Sequence, residues 1–176
     1  MLTELLVPAR GGAELGLLCP VLAQLTRSTA VVPPVASGTA TGWVLLIAPP
    51  WIPYAPGLCA QGLALNRVLI VRVRQPLEML WAMEEVLRSG ACAGVIAWAG
   101  TTAIERMGRF LLQRLHLLAC QQSIWAVLVR AAHCRRERSA ARLRLQLQCP
   151  LPTTLQIEVF RNHRQPTGTI TVERRF

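Results

Sequence analysis

The chain has 176 residues, 52% of them hydrophobic and only 16% charged, which suits one folded domain with a full core and excludes a disordered chain. Its formal net charge of +10 comes from 19 arginines without a single lysine, set against 9 glutamates without a single aspartate. No phosphate-loop lysine, Schiff base, Asp-containing triad or magnesium-holding aspartate can be drawn from such a composition, so the common ATPase designs are excluded.

Residues 4–7 read as a strand, and 12–25 as a helix with Leu15, Leu18, Leu22 and Leu25 on one face. The turn between them, with Pro8, Gly11, Gly12, Ala13 and Glu14, has the strand–glycine turn–helix layout of a phosphate-binding loop. Ala13 and Glu14 stand where such a loop needs its lysine and its magnesium-binding hydroxyl, so the loop is degenerate and no cofactor is expected. A helix N-terminus can still attract an anion, but Glu14 opposes that electrostatically.

Residues 28–42 are rich in proline and small side chains and read as a loop. "WVLLIA" (43–48) is a continuous apolar run, as in a strand buried on both faces, and "PPWIPYAPG" stops it. A short helix near 58–63 and a strand over 67–73 follow. Pro76 opens a helix to about residue 88, with Leu77, Leu80, Trp81, Met83 and Val86 expected on its buried side and Gly90 as its stop. Residues 93–100 read as a buried strand. Thr101 or Thr102 caps a long helix ending near Cys120, and 123–130 is a further strand. This βα alternation predicts a parallel sheet with helices on both faces.

After Arg130 the period changes to two. "RLRLQLQ" (142–148) alternates leucine with Arg or Gln, which predicts a strand with one wet face. Residues 155–161 and 169–175 look alike, joined by a hairpin connection over 162–168, so antiparallel strands are expected over 140–175 of a single domain whose core spans 3–130. The terminal Arg174, Arg175 and Phe176 read as the end of an edge strand.

The six cysteines contain no C-x-x-C pair and lie largely in apolar runs, which suits a reduced, cytoplasmic protein. His116 and Cys120 have metal-pair spacing, but two ligands do not make a site, so no metal is expected. No charge lies between Arg27 and Arg67, yet the six prolines there preclude a membrane-spanning helix. Glu4 and Arg10 break up any secretory leader.

Six arginines cluster at Arg130, Arg135, Arg136, Arg138, Arg142 and Arg144, opposed only by Glu137. Three readings stand: a solvated loop, a face for an acidic partner, or non-specific contact with DNA phosphates. No aromatic residue interleaves the cluster, which weakens a stacking platform for single strands. Of the five tryptophans, Trp43, Trp81, Trp98 and Trp125 read as core, and Trp51, in the proline-rich loop, as an exposed anchor.

"LTELLVPARGGAELGLL", "LLIAPPWIPYA", "LRSGACAGVIAW" and "LQIEVFRNHRQPTGTITVE" together resemble the core of the RecA recombinase family over nearly the whole chain. The resemblance implies a RecA-like, P-loop NTPase-type α/β fold with a degenerate nucleotide site. Near the family's catalytic glutamate stands Pro50, and at or next to its magnesium-associated aspartate stands Trp98, so no catalytic residue carries over. Two catalytically silent branches are similar. "TELL", "IAPPWIPYAPGL", "LRSGACAGVIAW" and "IEVFRNHR" look closer to the translesion-synthesis accessory ImuA, whose partners are a polymerase-like protein of the ImuB type and, by expectation, RecA or DNA. "LRSG…VIAW" also resembles SulA, the SOS division inhibitor that binds FtsZ. ImuA proteins carry a region before the first strand, and here the sequence begins almost on that strand.

Overall fold

The computed structural model describes residues 1–8, 13–27, 42–100, 109–151, 153–163 and 166–173. Its elements are β1 (Leu2–Val7), α1 (Glu14–Arg27), β2 (Val44–Ile47), α2 (Ala55–Ala60), β3 (Val68–Val71), α3 (Pro76–Ser89), β4 (Gly94–Trp98), α4 (Arg109–Gln121), β5 (Trp125–Ala131), β6 (Leu143–Leu151), β7 (Thr154–Asn162) and β8 (Gly168–Glu173). Short 3-10 turns occupy Leu65–Arg67 and Ala132–Arg136. The strands form one sheet in the order β3-β2-β4-β5-β1-β6-β7-β8. It is parallel from β3 through β6, and only the β6–β7 and β7–β8 pairs are antiparallel. The fold is therefore mixed α/β with antiparallel C-terminal strands.

β2 and β4 are apolar at every position because both faces are covered. Ile47, Val95, Ala97, Ala126 and Leu128 pack with Met83 of α3 and Leu115 of α4. Their neighbours Val44, Leu46, Ile96, Trp98, Val127 and Val129 pack on the other face with Leu18 and Leu22 of α1 and Leu58 of α2. Helix α3 carries the stop and start signals expected of it. Gln75 and Glu78 form a capping box, and the chain leaves the helix through Gly90 at φ 67. A Cβ on Gly90 would meet the Gln122 side chain at 2.9 Å as well as straining the backbone.

Several expectations are corrected. Leu77 and Trp81 are 67% and 68% exposed. The buried stripe of α3 is Met79, Leu80, Met83 and Leu87, and at about 100° per residue this leaves Leu77 and Trp81 on the outer side. The short helix lies at Ala55–Ala60, earlier than expected, because Pro56 starts it. β6 has no wet face at Arg144, which is buried because its guanidinium meets Glu4 of β1 and the carbonyls of the turn after β5. The loop at 28–41, the cap at Thr101 or Thr102, and the terminal Arg174, Arg175 and Phe176 lie outside the described residues. Among those described, no helix is long and apolar enough to cross a membrane.

Candidate functional site

β1, β2, β4 and β5 end at one side of the sheet, where open α/β sheets gather their ligands. A cleft of about 370 Å³ opens there, walled largely by apolar side chains from the strand ends, from the loop after β2 and from the start of α3. Ala48, the residue after β2, has φ 54, a left-handed conformation rarely adopted outside glycine. Its N–H donates to the Val71 carbonyl at 2.8 Å, which fixes the turn that leads Pro50 and Trp51 to the cleft.

The degenerate loop borders this cleft. Pro8 lines it, Ala13 is half-buried, and Gly11 and Gly12 lie outside the described residues. Glu14, the first residue of α1, is buried. Trp98, the last residue of β4, donates from Nε1 to Glu14 Oε1 at 3.2 Å. These are the two positions that the resemblance sets against a phosphate-loop hydroxyl and a metal-associated aspartate. Here they bond to each other, and the helix N-terminus is faced by a carboxylate, the sign of charge that suits it. Trp51 is 66% exposed, and Ile52 and Tyr54 beside it are 77% and 74% exposed.

The arginine cluster divides into an inner and an outer set. Arg130 and Arg144 are buried on the face of the sheet that carries α3 and α4, on either side of the buried Glu4 of β1. Arg130 Nη1 donates to Glu4 Oε1 at 3.2 Å, and Arg144 Nε donates to Glu4 Oε2 at 2.6 Å. Arg130 Nη2 also donates to Glu137. The remaining Arg144 donors reach the carbonyls of Arg135, Glu137 and Cys134 at 3.2, 3.1 and 3.1 Å. Burial works against the Arg130 charge, but the Glu137 hydrogen bond and the Glu4 charge more than offset it and hold its pKa above the ordinary value. Arg135 donates to both oxygens of Glu158 at 2.5 Å and lies 4.6 Å from the Phe160 ring centroid, with Arg144 at 4.9 Å from the same ring.

The expectation of one exposed basic loop is therefore corrected for Arg130 and Arg144, whose guanidiniums are consumed by the core. Arg136, Arg138 and Arg142 are exposed and make no ion pair among the described residues. Sequence reasoning missed Glu4 as the partner of Arg130 and Arg144, Glu137 as that of Arg130, and Glu158 as that of Arg135. A signal was present: a lone glutamate inside the apolar strand "LTELLV" needs a cation, because buried carboxylates are paired. His116 Nε2 and Cys120 Sγ stand 3.6 Å apart, and no group of three His, Cys or Glu side chains suited to a metal occurs among the described residues.

No protein-family model and no curated protein matches the chain. Among solved structures it is similar to SulA from Pseudomonas aeruginosa, at 24% identity and a TM-score of 0.52. The match covers 73% of this chain and 97% of that one. At this identity the likeness is one of fold: the chain has a SulA-related α/β architecture.

Proposed function

We propose that this is a non-catalytic binding protein of the bacterial SOS response, an accessory of translesion DNA synthesis of the ImuA type that works in the cytoplasm. It has a RecA-like fold without nucleotide chemistry and brings a polymerase-like partner of the ImuB type together with RecA or DNA. One observation carries the reading. The positions that nucleotide chemistry would need are taken by Glu14 and Trp98, which bond to each other, while Trp51, Ile52 and Tyr54 stand exposed beside them. Exposed clusters of this kind mark protein–protein contacts, and Trp and Tyr are favoured at their centres. DNA contact falls to Arg136, Arg138 and Arg142, and its signature is binding of single-stranded DNA that weakens steeply with salt.

A second reading, a division inhibitor that binds FtsZ, is favoured by the fold likeness to SulA. Affinity capture of a tagged copy from DNA-damaged cells tests both. Recovery of a polymerase-like protein or RecA without FtsZ supports the translesion accessory. Recovery of FtsZ alone overturns it in favour of the inhibitor.

A further inference from the structure

We propose that the cleft at the ends of β1, β2 and β4 receives an aromatic side chain of the protein partner, presented on an acidic stretch of that partner. The inference rests on the partner-binding reading above and names what the partner brings.

The walls select the anchor. Trp51, Trp98, Met79, Pro50, Val73 and Val129 offer two indoles, a thioether and aliphatic surface, which suit an aromatic ring better than a sugar or a phosphate. Most polar groups at the floor are already engaged, Arg130 Nε being the buried exception among the described residues. Glu14 holds the Trp98 indole, and Arg130 holds Glu4 and Glu137. An anion passing Arg74 at the mouth and entering the cleft would approach the buried Glu14 carboxylate. Ala48 holds a strained, left-handed backbone at φ 54. Such strain collects at functional sites, and here it sets the turn that places Pro50 and Trp51 on the cleft wall.

The rim selects the charge. Arg74 lines the mouth, and Arg72 stands two residues before it. Both are exposed, and neither makes an ion pair among the described residues. Glu78, the nearest acid in sequence, is used as a helix cap: its Oε2 accepts from the backbone N–H groups of Arg74 and Gln75 at 2.8 and 3.2 Å. In a chain of net charge +10, an unmatched arginine at an apolar mouth, with a second exposed arginine two residues before it, calls for carboxylates beside the anchor. A neutral or basic partner leaves them unmatched.

The test is a titration of the full chain, followed by NMR of the tryptophan indole N–H signals. The probe is the capped peptide Glu-Glu-Phe-Glu-Glu. Its comparators replace Phe with Ala, or every Glu with Lys, and magnesium ATP is titrated separately. The acidic aromatic peptide is expected to shift the Trp51 and Trp98 signals saturably, with each comparator peptide at least tenfold weaker. Trp51→Ala and Arg74→Glu, both at exposed positions, should each weaken the peptide at least tenfold. Equal response to the alanine or lysine peptide overturns the proposal, as does unchanged affinity in Arg74→Glu. A shift of the same signals by ATP at lower concentration overturns it in favour of a retained nucleotide site. The two readings fail separately. If cells yield a partner equally for wild type and Trp51→Ala, the cleft assignment falls and the binding protein stands. If the peptide titrates as expected but no partner is captured, the cleft stands and the cellular role falls.

Discussion

The cleft and the arginine layer are both polar places in an apolar protein, and they treat their charges in opposite ways. In the layer, two buried guanidiniums meet the Glu4 and Glu137 carboxylates, and backbone carbonyls take most of the remaining donors. At the cleft, one carboxylate is tied inward to Trp98, while Arg72, Arg74 and the aromatic rim are left to water. A closed network specifies a core, and an open rim invites a partner. The difference teaches that local density of charge is a poor guide to a binding surface. Two arginines of the densest stretch, Arg130 and Arg144, are drawn into the interior, and Arg136, Arg138 and Arg142 of the same stretch stay exposed.

That contrast can be broken at four places, taken from the largest expected effect to the smallest. Glu4→Ala leaves Arg130 and Arg144 buried without their shared carboxylate, which should cost about 3–5 kcal/mol. In thermal melting this appears as a fall in Tm on the order of 10 °C. A fall of only a degree or two would mean that the layer is wet.

Trp98→Phe keeps the ring and removes the donor to the buried Glu14, for an expected loss of about 1.5–3 kcal/mol in urea denaturation. No loss would mean that the pair is incidental to the cleft floor.

Glu158→Gln touches the half-exposed end of the arginine layer, where water screens the pair, and should cost at most about 1 kcal/mol. Its pH dependence carries a sign. The Arg135 hydrogen bond lowers the Glu158 pKa below its ordinary 4.5. Its contribution is therefore fully present above that value and is lost as pH falls through the lowered one. Denaturation of wild type and variant should differ at pH 7 and converge in acid, and a difference that grows in acid would contradict the pairing.

Trp51→Ala should change stability by no more than about 0.5 kcal/mol, as surface substitutions do.

Much of the fold was legible in the sequence. The continuous apolar runs predicted β2, β4 and β5, and Pro76 and Gly90 bounded α3, because these signals are local. The exposure of Trp81 was not legible. Apolar residues fall on more than one side of α3, and only the neighbouring elements decide which stripe is covered. The inward turn of Arg130 and Arg144 was hidden for a similar reason. Their partner Glu4 lies 126 and 140 residues away, and the strand order that brings β1 between β5 and β6 is a property of the whole sheet. At the cleft, the loss of lysine and aspartate was readable from composition and that of the hydroxyl from the position of Glu14, but the bond between Glu14 and Trp98 was not.

The most direct measurement is Trp51→Ala beside wild type, in one experiment with two readouts: the melting temperature, and capture of a polymerase-like protein, RecA or FtsZ from DNA-damaged cells. The account predicts an unchanged melting temperature and loss of the captured partner. A large fall in melting temperature would place Trp51 in the core. Undiminished capture would move the binding surface elsewhere on the molecule, and either result would contradict the account.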